Sequence, residues 1–174
     1  RIIGGLRSDS WKAQDRRISI TGVMGVIGPN PTANLTRNET LNSGFLRYEQ
    51  GVIGNAGTIY AGLGHAERFP DYWELIGKES ATTLSSFNTR PEKTNQLDVG
   101  MTWKQGDMSA SLSGFYSKVS DFILIQSNVN KGTMMMPRLV SITRNVNANT
   151  WGGEANIGWK LAQNWKADGS LAYV

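Results

Sequence analysis

The chain has 174 residues, a formal net charge of +4, 39% hydrophobic residues and no cysteine. Its mean hydropathy is −0.34, and no run approaches the roughly 18 to 20 apolar residues of a membrane-spanning helix, so a helical membrane protein is excluded. Without cysteine there is no disulfide and no thiolate metal site, and the small, scattered positive charge argues against a nucleic-acid partner.

Alternating apolar and polar residues predict about seven β-strands, because a period of two places successive side chains on opposite faces of a strand. The predicted strands end near residues 7, 53, 67, 104, 126, 161 and 174. The alternation is clearest over residues 150–161, where Ile157 and Trp159 share one parity and Glu154 and Lys160 share the other. The chain is therefore predicted to be all-β.

Long polar segments and tight turns alternate between these strands. The long segments are residues 8–43, 68–93 and roughly 127–137, and the tight turns are residues 54–57, 105–107 and 162–164. Loops this long are uncommon in a compact soluble domain. The alternation is typical of an antiparallel transmembrane β-barrel that has long external loops at one rim and short periplasmic turns at the other.

Seven strands are an unusual number for such a barrel. Bacterial outer-membrane barrels have even counts of about eight or more. An open sheet of seven strands would leave two edges unpaired and a large apolar surface exposed. We therefore expect residues 1–174 to be a part of a larger barrel domain.

Four segments at predicted strand boundaries resemble, in the same order, segments of the TonB-dependent outer-membrane receptors. They are GHAERFP at 64–70 with WEL at 73–75, RPEK at 90–93 with QLDVG at 96–100, SGFY at 113–116 with DFI at 121–123, and NV at 145–146 leading to GGE at 152–154. Residues 62–76 and 145–160 are most similar to the copper receptor branch of that family. The resemblance implies that this chain supplies about seven strands, from the C-terminal half, of a monomeric barrel of about 22 strands.

The same resemblance implies the function. A receptor of this family imports a scarce solute across the Gram-negative outer membrane, driven by TonB through a plug domain that is absent from this chain, and is not an enzyme. Copper is the first candidate solute; the alternatives are a siderophore or other iron complex, or a passive porin. The implied partners are TonB, the lipid bilayer, lipopolysaccharide and a metal ion or metal complex, with no cofactor in this segment but possible copper in the complete receptor.

Met134, Met135 and Met136 form the one candidate metal site, in the predicted external loop at 127–137. Thioethers are soft ligands that suit Cu(I). Because consecutive residues of an extended chain point to alternate sides, Met134 and Met136 are the pair that would meet one ion. The alternative interpretation is that three adaptable side chains pack on neighbouring parts of a flexible loop.

The other candidate residues have structural interpretations. His65, the sole histidine, shares the parity of Leu63, which predicts an interfacial side chain facing lipid or an outer aromatic rim. Trp103, Trp159 and Trp165 flank two predicted periplasmic turns, where an aromatic girdle is expected.

The polar parity of the strands is predicted to line the lumen, with charges of mixed sign that suit contact with a plug. Its members are Asp98, Lys104, Glu154, Asn156, Lys160, Lys166 and Asp168. No Ser-His-Asp arrangement, metal-ligand cluster or phosphate loop is present, so no catalytic residue is predicted. The rival classes are an outer-membrane enzyme, for which His65 is the only candidate base of its type, and a soluble β-sandwich whose core would be the apolar parity.

Overall fold

The computed structural model describes residues 1–21, 26–54, 56–76, 86–130 and 132–174. Its elements are β1 (Ile2–Gln14), β2 (Ser19–Thr21), β3 (Ile27–Pro29), β4 (Thr36–Val52), β5 (Gly57–Arg68), α1 (Tyr72–Ile76), β6 (Glu92–Gln105), β7 (Met108–Asn130), β8 (Leu139–Ala162) and β9 (Trp165–Tyr173). Among the described residues, no helix is both long and apolar enough to cross a membrane.

Seven strands form one antiparallel sheet in the order β1-β4-β5-β6-β7-β8-β9. Each strand of the sheet therefore pairs with the strand of the sheet that comes next along the chain. The strands β2 and β3 pair separately as a hairpin between β1 and β4. The sheet is open, with β1 and β9 at its edges. Long and short connections alternate as the sequence predicts, and we call the two ends of the sheet the loop end and the turn end.

The two faces of the sheet differ in polarity. One row of directly paired residues runs Leu46, Leu63, Leu97 and Tyr116 across four neighbouring strands, and these side chains are 42–62% exposed. This is the apolar face. The opposite, polar face carries all seven residues of the predicted polar parity, because their register positions fall in the alternate rows. The predicted period of two is confirmed.

The predicted extents of two loops are wrong. In the segment 8–43, β1 continues to Gln14 and β4 begins at Thr36, with a hairpin between them. In the segment 127–137, β7 reaches Asn130 and β8 begins two residues after the segment ends, at Leu139. These strand ends are mostly polar, and in β1 the apolar residues change from even to odd positions before Trp11. The single alternation that identifies a half-buried strand is therefore interrupted, although the backbone ladder still pairs Ser10 with Thr40. Residues 22–25, 55, 77–85 and 131 of the predicted loops and turns lie outside the described residues.

A small core lies at the loop end on the polar face. It contains Leu41, Phe69 and Leu75, with Trp11 and Ala13 packed against it. The Trp11 and Phe69 rings are stacked. The start of the β5–β6 loop is thereby folded back onto β1 and β4, since Phe69 and Leu75 follow the end of β5 while the other three residues belong to the first two strands of the sheet.

Aromatic rings on the polar face lie directly across from glycines. The register pairs are Phe45 with Gly5, Tyr60 with Gly100, and Phe115 with Gly152. A Cβ on Gly100 would lie 2.5 Å from the Tyr60 ring and 2.7 Å from the carbonyl oxygen of Leu112. The absence of a Cβ at each glycine leaves room for the ring to lie over the neighbouring strand. This arrangement also helps to fix the register of the strands.

This packing predicts different costs for two alanine substitutions. Gly100→Ala should lower the unfolding free energy by about 1–3 kcal/mol, because the added methyl meets backbone as well as the ring. Gly64→Ala is the matched control on the same face, since a Cβ there meets nothing within 4 Å. The measurement is urea unfolding of the complete receptor in detergent. Equal midpoints for the two variants would contradict the steric role of Gly100.

Candidate functional site

The three methionines lie in a tight turn at the loop end of β7 and β8. The amide of Thr133 donates to the carbonyl of Met136 at 3.1 Å, and the amide of Met136 donates to Thr133 Oγ1 at 3.1 Å. The side chains of Met134, Met135 and Met136 are 100%, 94% and 60% exposed. Their side chains are therefore exposed in the described part of the chain, and the packing alternative stays an interpretation of the sequence. A metal-binding role for Met134 and Met136 stays a prediction.

No cluster of harder ligands accompanies the methionine turn. Within the described ranges, no group of three or more His, Cys, Asp or Glu side chains is positioned to hold a metal ion. His65 instead has Nδ1 2.8 Å from Asn95 Oδ1 and Nε2 3.6 Å from a Glu67 carboxylate oxygen. It lies on the parity of the apolar face, in the row next to Leu63 toward the loop end, which is the border position that the sequence predicts.

An ion-pair network joins β5, α1 and β6 at the loop end. The guanidinium of Arg68 donates to both carboxylate oxygens of Glu74, at 2.8 and 3.1 Å, and to Glu92 at 3.3 Å. Glu74 also caps its own short helix: the amide of Asp71 donates to Glu74 at 2.9 Å, and the amide of Glu74 donates to Asp71 at 2.8 Å. This reciprocal pair is a capping box.

A second set of bonds attaches the end of the β5–β6 loop to β7 and β8. The side-chain amide of Asn145 donates to the carbonyls of Arg90, at 3.0 Å, and Asp121, at 2.7 Å. The guanidinium of Arg90 pairs with the carboxylate of Asp121. Asp121 has a φ of 58° and lies at a β-bulge between Val119 and Phe122. The bulge turns the Asp121 carbonyl to where Asn145 can reach it.

Together these six residues form one group, which we call the loop-end network. Its members are Arg68, Glu74, Glu92, Arg90, Asp121 and Asn145. Each of the four segments that carry the family resemblance contributes to it. Sequence reasoning found the segments but missed their convergence, because the partners are up to 55 residues apart and no spacing rule connects them.

A buried carboxylate organises the β1–β4 loop, and sequence reasoning missed it entirely. Asp15 is fully buried and accepts hydrogen bonds from Arg17 at 2.6 and 2.7 Å, from Asn30 at 2.9 Å and from Thr32 at 2.7 Å. Burial alone would raise the pKa of Asp15, but these hydrogen bonds outweigh it and hold the pKa well below its usual range. The role of this group is structural, since it joins both ends of the loop.

Charges on the polar face are mostly satisfied within that face. Lys166 pairs with Asp168 at 2.7 Å, and Asn156 donates to Glu154 at 2.8 Å. Asp98 and Glu154 do not form a carboxylate pair, because β7 runs between their strands. The face is therefore polar and of mixed sign, as the sequence predicts.

The comparisons with known proteins agree with this architecture. The model of the family "TonB dependent receptor-like, beta-barrel" matches residues 1–174, and the chain belongs to this family. Its members are receptors and transporters of the outer membrane and not enzymes. The family identification made from the four segments is confirmed.

Two solved structures are similar to the chain. The "Copper transporter OprC" superposes with a TM-score of 0.81 at 43% sequence identity, over 99% of this chain and 26% of that one. A double mutant of the Serratia marcescens hemophore receptor HasR, in complex with its hemophore HasA and heme, superposes with a TM-score of 0.68 at 18% identity, over 99% of this chain and 29% of that one. The second likeness establishes the fold alone. The chain thus spans about a quarter of the length of OprC, and the search of curated proteins gave no match.

The loop-end network predicts that Arg68 holds the β5–β6 loop closed. Arg68→Gln should weaken this closure by about 1 kcal/mol, because the half-buried Glu74 and Glu92 lose a charged donor. Hydrogen exchange of residues 86–91 in the complete receptor measures the closure. Arg7→Gln is the control, since the Arg7–Asp9 pair is exposed and such pairs contribute little. Unchanged exchange in Arg68→Gln would contradict the prediction.

Asp15 predicts a pH dependence for the β1–β4 loop. Because its folded pKa is lowered, the ionised carboxylate stabilises the loop above the unfolded-state pKa of about 4, and this stabilisation is lost as pH falls below that value. Hydrogen exchange of residues 26–35 should therefore accelerate by up to about tenfold between pH 6 and pH 3, after correction for intrinsic rates, because pH 3 lies about one unit below the unfolded-state pKa. Asp15→Asn should remove this pH response, whereas Asp107→Asn, in an exposed turn, should keep it.

Proposed function

We propose that this chain is part of the barrel of a TonB-dependent outer-membrane receptor that takes up copper. The observation that carries the proposal is the 43% identity to the solved copper transporter over 99% of this chain. Identity at that level over nearly the whole chain supports a common solute more strongly than a common fold would. The remaining strands and the plug domain, through which TonB acts, lie elsewhere in the receptor.

The distribution of polarity supports this placement of the sheet. The apolar face would contact lipid, because its leucine and aromatic side chains are exposed and are not covered by any other part of the described structure. The polar face would line the lumen against the plug. The loop end, which carries the methionine turn, would then face the exterior, and the turn end the periplasm.

The methionine turn would be a capture point for copper on this part of the receptor. Thioethers bind Cu(I) through a soft, polarisable donor and do not compete well for hard ions. Met134 and Met136 lie in one turn whose backbone is closed by two hydrogen bonds. With no cluster of hard ligands in the described ranges, the turn is the part of this chain whose chemistry favours copper over iron.

The alternative solutes are an iron–siderophore complex or heme. The neighbour whose title names heme is 18% identical, which supports the common fold and leaves the ligand open. A passive porin would share the two-faced strands and the alternation of loop lengths. A porin would not, however, be expected to belong to the TonB-dependent family, as this chain does. Copper is therefore the first solute to test.

Transport by the complete receptor tests the proposal. In cells that lack other copper receptors, the native receptor should support uptake of radioactive copper that stops when TonB is deleted. The double variant Met134→Leu with Met136→Leu should reduce uptake several-fold at limiting copper and leave it unchanged at saturation, because a capture ligand matters most when copper is scarce. Met135→Leu is the control. TonB-dependent uptake of heme or an iron complex without any uptake of copper would overturn the assignment.

A further inference from the structure

Lys118 is an unusual residue for its position in the sheet. It lies on β7 with the parity of the apolar face, two residues beyond Tyr116 toward the loop end. Its direct cross-strand neighbours are two asparagines, Asn95 on β6 and Asn149 on β8. In the described parts of the chain its ammonium group has no carboxylate partner, whereas nearby Lys93 is paired with Glu67 at 2.9 Å.

On β5 to β8 the apolar rows end at this lysine. The last row before it contains Leu46, Leu63, Leu97, Tyr116 and Trp151. The next row, about 7 Å further along the strands, is polar on β5 to β8 and contains His65, Asn95, Lys118 and Asn149. An ammonium and side-chain amides thus lie immediately beside exposed hydrocarbon.

A groove joins the two rows. It has a volume of about 700 Å³, and its lining includes Leu46, Leu63, Leu97, Tyr116, Asn95 and Lys118. A hydrated ion alone would leave the three leucines without an apolar contact. A purely apolar ligand would leave the Lys118 ammonium without an anion. A ligand that matches the groove has a hydrocarbon part and an anionic group. The distance between these two parts equals the distance between adjacent rows.

We infer that this groove binds a phosphate-bearing, acylated lipid of the outer leaflet. The phosphate contacts Lys118 and the side-chain amide of Asn95, and an acyl chain lies along the leucines. Lysine beside a membrane surface attracts anionic lipid head groups, and its stem covers apolar surface while the charge stays at the boundary. The inference rests on the proposed function, because that function puts the apolar face in lipid.

The experiment measures retention of one defined lipid by the complete receptor. Native, Lys118→Gln and Lys104→Gln receptors are delipidated and placed in phosphatidylcholine nanodiscs that contain a trace of bisphosphorylated lipid A, and the bound lipid A is counted by mass spectrometry. Lys118→Gln should retain at least threefold less than the native receptor. Lys104→Gln is the matched control, an exposed lysine on the polar face, and should retain as much as the native receptor. Lys118→Arg should also keep binding.

Three results would overturn the inference. They are equal retention by Lys118→Gln and the native receptor, equal retention of lipid A from which both phosphates are removed, and displacement of lipid A by millimolar inorganic phosphate, which would indicate a site for a free anion. If Lys118→Gln does not fold, Asn95→Leu takes its place with the same expected loss. Copper uptake is measured separately, so loss of lipid A with normal uptake supports both proposals, and normal lipid A binding without copper uptake removes only copper.

Discussion

The structure depends on the register of one antiparallel ladder. Each strand satisfies its backbone groups only through its neighbours, and the same pairing sets which side chains share a row. A shift of one residue between β5 and β6 would move Leu63 and Leu97 to opposite faces of the sheet, and the whole separation of polarity would be lost. The two faces, the glycine–aromatic pairs and the groove at Lys118 all exist because this register is maintained across seven strands.

Different devices hold the register at the two ends of the sheet. At the turn end, short connections leave neighbouring strands little freedom to slide, and Gly54 and Gly106 adopt the positive φ angles that tight turns require. At the loop end the β1–β4 and β5–β6 connections are long and impose no such constraint. There the loop-end network ties β5 to β6 through Arg68, and ties the β5–β6 loop to β7 and β8 through Asn145. The segments that resemble the family therefore supply the bonds that hold the strands in place at the loop end, where long connections leave the register unconstrained.

The alternation of residues predicts much of the fold because the physical requirement is local. Leu97 and Asp98 must face opposite environments, and adjacent positions in the sequence record that directly. The strand ends near Gln14 and Asn130 could not be predicted in this way, because they are mostly polar, the apolar parity of β1 changes before Trp11, and pairing persists without one continuous alternation. The contacts of Asp15 with Asn30 and Thr32 could not be predicted from the sequence either, since they depend on how a loop closes in three dimensions.

We place the proposed chemistry of ligand selection in the loops rather than in the sheet. On the polar face, Lys166 is paired with Asp168 and Glu154 accepts a hydrogen bond from Asn156, so these charges are partly directed at one another. Under the proposed function, this face would line the lumen against the plug. The exposed Met134 and Met136 differ, because a thioether distinguishes soft from hard metals by its own electronic structure and needs no surrounding charge. If the receptor takes up copper as we propose, the loop that joins β7 to β8 is where this chain would discriminate copper from iron, while the sheet would supply the barrel wall that supports it.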